Sequence, residues 1–142
     1  MAPNLERYRG LADIRYALRR FIAASEVINR AAGITQQQYQ AMLAVKTGPS
    51  EAMPVMELAE LLLLTHHGTV QLVDRLAKAG LLERSPAPHD RRSVLLKLTA
   101  RGEVLLDALA DKHLEEMLRH EPLLSRSLRR LRHLAPSHED RD

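Results

Sequence analysis

The sequence predicts a mainly α fold with a small β-hairpin wing, and three observations carry that expectation. Residues 58–99 read LAELLLLTHHGTVQLVDRLAKAGLLERSPAPHDRRSVLLKLT, in which two short helical patterns meet around Thr65. Alternating residues on either side of a Pro-rich turn then read as a charged hairpin. Longer amphipathic patterns lie before and after this block. Helix, turn, helix and hairpin in that order form a winged helix-turn-helix core over residues 34–98, flanked by helices over 5–33 and 99–135. With 142 residues the chain fits a single domain, since domains commonly hold roughly 100 to 200 residues.

Each element has its own signal. Leu11, Ile14, Leu18, Phe21, Ile22, Ser25 and Ile28 recur at spacings of three and four, a long amphipathic helix that ends near Gly33. Thr35 with Gln38 forms a capping box ahead of Tyr39, Met42, Leu43 and Val45. Thr47-Gly48-Pro49-Ser50 breaks this second helix, and Pro54 suits the first turn of a third carrying Val55, Leu58, Leu61 and Leu62. Thr65 caps a fourth helix whose Thr69, Leu72, Val73 and Leu76 face inward, and Gly80 stops it. Residues 81–84 and 93–98 are the strands of a two-stranded wing, the second turning Val94, Leu96 and Leu98 inward. Thr99 caps a fifth helix, and a sixth is expected after Pro122.

Composition narrows the functions open to such a fold. The formal charge of +3 and the pI of 9.6 permit nucleic-acid binding without requiring it. Cysteine is absent, which excludes disulfides, thiolate zinc sites and thiol redox sensing within this chain. Aromatic residues make up only 3%, too few rings to stack unpaired bases, so single-strand readers are disfavoured. No apolar run approaches the roughly 18 residues of a membrane span, and a cytoplasmic location is expected. No nucleophile with a general base and no Gly-rich phosphate loop emerges, so a binding protein is expected rather than an enzyme, with no cofactor.

The fourth helix is the expected reading element, because a helix end of this kind places side chains against base edges in the major groove of duplex DNA. Thr65, His66, His67, Gly68, Thr69, Val70, Gln71 and Arg75 are its candidate contacts. His66, His67 and Gln71 offer hydrogen bonds, Val70 an apolar contact to a thymine methyl, and Gly68 a close approach of backbone to backbone. In the hairpin, Arg91 and Arg92 are candidates for the narrow minor groove, with Asp90 expected to orient the Arg92 guanidinium. His113, Glu116 and His120 follow one another along one helix side, a pattern that fits either zinc ligands or an ordinary polar face. Without a further ligand the polar face is preferred. The flanking helices carry more apolar surface than a compact core covers, which points to a symmetric dimer.

Leu58-Ala59-Glu60, Leu72-Val73-Asp74-Arg75-Leu76, Gly80-Leu81-Leu82-Glu83-Arg84, Asp90-Arg91-Arg92-Ser93 and Leu98-Thr99-Ala100-Arg101-Gly102 together resemble the MarR family of bacterial transcriptional regulators. The resemblance covers residues 34–109. It implies a homodimer whose first, fifth and sixth helices interlock, and two winged heads that straddle a pseudo-palindromic operator. It also implies a repressor released by a small aromatic effector, in a cleft to which Tyr16, Arg20, Tyr39 and Leu43 contribute. The sequence departs from the family pattern in two places. His66 and His67 stand where Ser or Thr with Arg is usual, and residues 61–64 are four leucines where the turn often contains Gly. A different bend between the two helices is the expectation. The competing readings are a winged helix used for protein contact and a metal-responsive regulator.

Overall fold

The computed structural model describes residues 3–48 and 52–136. Their order is α1 (Pro3–Ala31), α2 (Gln36–Thr47), β1 (Met53–Pro54), α3 (Val55–Leu62), α4 (His66–Lys78), β2 (Leu82–Ala87), β3 (Asp90–Leu98) and α5 (Ala100–Leu134). The chain forms two compact units, a central one of Asn29–Asp111 and a terminal one of Met1–Ile28 with Lys112–Asp142.

In the central unit, threonine hydroxyls start three helices. Thr35 accepts the Gln38 N–H at 3.1 Å while Gln38 Oε1 accepts the Thr35 N–H at 2.9 Å, the expected capping box. Thr65 accepts the Gly68 N–H and Thr99 the Gly102 N–H, both at 3.0 Å. The helix stops share a device as well. Gly33 and Gly80 adopt left-handed φ of 80° and 73°, and in both the next N–H reaches back to a carbonyl of the preceding turn at 3.0 Å. Leu63 does the same at the end of α3, with φ 56° and the Leu64 N–H on the Ala59 carbonyl at 3.0 Å. The bend between α3 and α4 therefore keeps the glycine-type conformation despite four leucines, and a side chain bears the strain. Leu63 itself is 92% exposed, so burial does not compensate for it.

The sheet is three-stranded and antiparallel in the order β1-β3-β2, one strand more than the sequence predicts. Met53 pairs with Leu96 and Leu82 with Leu98. Two-residue strands leave no periodic signal, which is why β1 escapes sequence reading. The hairpin is also longer than expected, since Ser85, Pro86 and Ala87 extend β2 and only Pro88 and His89 remain as the turn. Pro86 is tolerated because β2 is an edge strand, where a missing N–H costs no ladder bond. Leu96 and Leu98 are buried as expected, but Val94 is exposed. Met42, Met53, Leu58, Val73, Leu76 and Leu96 are the largest of its fully buried apolar side chains.

In the terminal unit α5 runs unbroken through Pro122, so the expected sixth helix is not separate. A proline inside a helix costs about 3 kcal/mol through a lost hydrogen bond and a clash with the preceding turn. The side chains on either side hold the helix in phase nonetheless. His113, His120, Leu124, Ser127 and Leu131 recur at helical spacing across the proline, all at least partly buried. Arg130 pairs with Glu6 at 2.9 Å and with Asp13 at 2.5 Å, which ties this end of α5 to α1. Hydrogen bonds from Arg130 and Arg9 hold the Glu6 carboxylate below its ordinary value. Among the described residues no helix is long and apolar enough to cross a membrane.

Leu63→Gly is expected to stabilise the fold. Left-handed backbone costs a residue with a side chain about 1 to 2 kcal/mol, while glycine's extra freedom in the unfolded chain returns about 0.5 to 1. A net gain near 1 kcal/mol in a denaturant titration is the expected result, and a loss would mean that Leu63 packs in a way its exposure does not indicate.

Candidate nucleic-acid interface

Burial decides which residues of α4 remain available. Thr69, Leu72, Val73 and Leu76 are buried, which turns His66, His67, Gln71 and Arg75 to the exposed side. Thr69 is completely buried and donates its hydroxyl to the Thr65 carbonyl at 2.8 Å. Its side chain thus belongs to the core and supports the first turn of α4 rather than joining the exposed face. Gly68 and Val70 are half-buried, and Thr65 is committed to capping. The N-terminal turn of α4 also carries the partial positive charge of unpaired N–H groups, with no acidic residue to neutralise it.

The wing is built differently from the expectation at one point. Asp90 Oδ1 accepts the backbone N–H of Arg92 and Oδ2 the hydroxyl of Ser93, both at 3.0 Å. The carboxylate therefore braces the strand start and does not hold the Arg92 guanidinium. A short polar side chain just after a turn finds its own backbone before it finds a flexible neighbour. Arg92 is exposed on β3, just past the hairpin turn, and the side chain of Arg91 lies outside the described residues.

Between these elements lies a groove of about 180 Å³. His66 and Val70 of α4 line one wall, Arg92, Ser93 and Val94 of β3 another, and Pro54, Val55 and Met56 the floor. His66 and Arg92, read separately from the sequence, thus border one concavity. An ion pair between Asp74 of α4 and Arg84 of β2 links helix to sheet. Ten residues separate that pair, and no periodic rule foretells it. It also withdraws Arg84 from the free cations of the wing.

A model of the MarR family matches residues 32–93. The MarR transcription factor from Planctomyces limnophilus is 26% identical, with a TM-score of 0.71 over 90% of this chain and 96% of that one. Over residues 32–93 the chain is similar to the MarR family. An E. coli MarR variant solved with operator DNA has a TM-score of 0.62 and 23% identity, covering 81% of this chain and 90% of that one. The transcriptional regulator PecS of Dickeya dadantii is 31% identical over 70 residues, 49% of this chain and 42% of PecS. The chain spans about half the length of the curated relatives it matches.

The remaining predicted residues fall into pairs. In the terminal unit Arg20 sits over the exposed Tyr16 ring, 5.8 Å from its centroid, a cation–π contact. In the central unit Tyr39 and Leu43 are one turn apart on α2, and burial pushes the Tyr39 phenol up. His120 Nε2 lies 3.6 Å from Glu116 Oε2 and its ring meets Phe21 edge-on at 6.1 Å. His113 instead has its Nδ1 3.4 Å from the Ser25 hydroxyl. No cluster of three metal-ligating side chains forms among the described residues.

Burial pushes the His113 imidazole below its ordinary value of 6.5. The unfolded chain then takes up this proton more readily than the fold, so stability is present above the ordinary value and falls as pH drops toward the depressed one. The thermal midpoint is expected to be lower near pH 5 than near pH 7.5, either side of the imidazole range of about 6.5. His113→Gln should flatten that difference, and an identical pH response in the variant would remove His113 as its source.

Proposed function

We propose that this chain is a homodimeric, sequence-specific duplex-DNA-binding transcriptional regulator, a repressor released by a small aromatic ligand. The observation that carries the reading is the exposed N-terminal part of α4, with His66, His67 and Gln71, of which His66 borders the same groove as Arg92. A helix end of this kind fits the major groove while an adjacent arginine reaches the minor groove. The likeness to an E. coli MarR variant solved with operator DNA supports the same assignment. Thr65, His66, His67, Gly68, Val70, Gln71, Arg75, Arg91 and Arg92 are the proposed contacts, with Thr69 supporting them from the core. No arrangement of these groups suits catalysis, and the reading is of a binding protein.

Dimerisation is proposed from the terminal unit. Leu11, Leu18 and Ile22 of α1 and Leu114, Met117 and Leu118 of α5 are all exposed, an apolar surface larger than a lone subunit normally shows water. A two-fold pair of reading heads matches a palindromic site. Tyr16, Arg20, Tyr39 and Leu43 are the proposed effector contacts, an aromatic and cationic set suited to an aromatic acid. Such an effector releases DNA only by binding two conformations unequally.

Selection of duplexes from a random pool is expected to enrich a pseudo-palindrome, and competition with small aromatic acids to lower its occupancy. Recovery of no preferred duplex, with binding insensitive to salt, would assign the wing to protein contact instead. Arg92→Ala is expected to weaken binding to the selected duplex by about 1 to 3 kcal/mol while leaving the dimer intact by sedimentation. Unchanged affinity would take the wing out of the recognition surface.

A further inference from the structure

The chain's charge does not follow its reading surface. The central unit holds nine Lys and Arg against nine Asp and Glu, whereas the terminal unit holds twelve against nine. The entire formal excess of +3 therefore lies outside the unit that carries α4 and the wing.

Met1–Ile28 contributes +2 of that excess and Lys112–Asp142 +1, and within the second segment basic side chains recur along one face of α5. Lys112, Arg119, Arg126, Arg129 and His133 follow at intervals of seven, seven, three and four, so they form one stripe on a helix of 3.6 residues per turn. All five are exposed, and the stripe runs for roughly 30 Å at 1.5 Å per residue. The exposed Glu115, between Lys112 and Arg119, is the acidic residue within it, so its uninterrupted basic part is Arg119 to His133. Its orientation is fixed from the flank. Ser127, one residue round the helix from Arg126, is buried, Arg130 on the stripe's edge is held by Glu6 and Asp13, and Leu134 stands where a Cβ on Gly10 would come within 2.6 Å. Leu114, Met117 and Leu128 occupy a third sector, and the exposed Leu118 lies between that sector and the stripe. Arg119 has Glu116 at 3.3 Å, and Arg129 Nε donates to the Ser125 carbonyl of its own helix. Among the described residues Lys112 and Arg126 have no ion-pair partner within 4.0 Å.

We propose that this stripe is a second, sequence-indifferent contact for the phosphate backbone of duplex DNA. It rests on the reading of the chain as a DNA-binding protein and adds a surface to it. A row of cations on a convex helix face has no concavity for a small anion, but it matches a linear row of phosphates. Guanidinium groups pair with phosphate oxygens in bidentate fashion and carry no base readout. Each phosphate neutralised releases counterions, so the stripe contributes affinity for any duplex and a steeper salt dependence.

The test uses the full chain, the selected duplex and a scrambled duplex of the same length, each long enough to extend well past one site. The variant is K112Q/R126Q/R129Q, in which glutamine keeps the helix propensity, with R126K/R129K as the charge-preserving control. On the scrambled duplex the slope of log affinity against log salt is expected to fall by about 2 to 3, close to 0.9 per lost contact, and the control to keep the wild-type slope. Preference for the selected over the scrambled duplex should persist, since no base contact is removed. Equal slopes for wild type and the glutamine variant would overturn the stripe while leaving DNA binding by α4 and the wing intact. A wild type that binds neither duplex would overturn both.

Discussion

The buried stripe of α4 is the constraint on which the other features depend. Burying Leu72, Val73 and Leu76 is worth about 1.5 to 3 kcal/mol for each side chain. The Thr65 cap contributes about 1 kcal/mol, and the strain at Leu63 costs a similar amount. Burial therefore sets the rotation of α4, while cap and turn adjust to it. A helix turned by one residue would rotate its side chains by about 100° and expose apolar groups in place of His66, His67 and Gln71. The exposed face is a consequence of what the core takes in. Thr69 shows this most directly, being polar, completely buried, and satisfied by the helix's own first turn.

Most of this architecture was legible from periodicity. The spacing of three and four in α1, α2 and α4 and the threonine caps each had one reading, and the structure follows them. What escaped had physical reasons. A two-residue strand such as β1 has no period, and Pro86 reads as a turn until β2 is known to be an edge. Pro122 misled because proline is normally a boundary, yet the partly buried positions around it stay in helical phase. Within the candidate interface, exposure on α4 followed from the sequence, but the partners of Asp90 and Arg84 did not. Side-chain choice between a nearby backbone and a distant charge is decided by local reach, which spacing alone does not encode.

Two substitutions relative to the family pattern have opposite structural meaning. Leucine at position 63 alters the chemistry of the turn and leaves its geometry alone, because the neighbouring Ala59 carbonyl still receives the Leu64 N–H. Histidine at positions 66 and 67 leaves the helix untouched and alters what its exposed end presents. An imidazole both donates and accepts when neutral, whereas arginine only donates. The exposed end therefore offers a different set of donors and acceptors from one that carries arginine.

The balance of charge sharpens the same distinction. A central unit with as many acids as bases has little long-range attraction for a polyanion, so its affinity must come from the local placement of His66, Arg92 and the α4 end. Such contacts act over short distances and depend on the base or groove met. The terminal unit, by contrast, carries the excess charge, and the α5 stripe within it is proposed to meet phosphates and not base edges. In the proposed reading, approach and discrimination fall to different parts of the chain. The first part acts through screened attraction and weakens as salt rises, while the second acts through geometry and is governed by how firmly α4 is seated in its core.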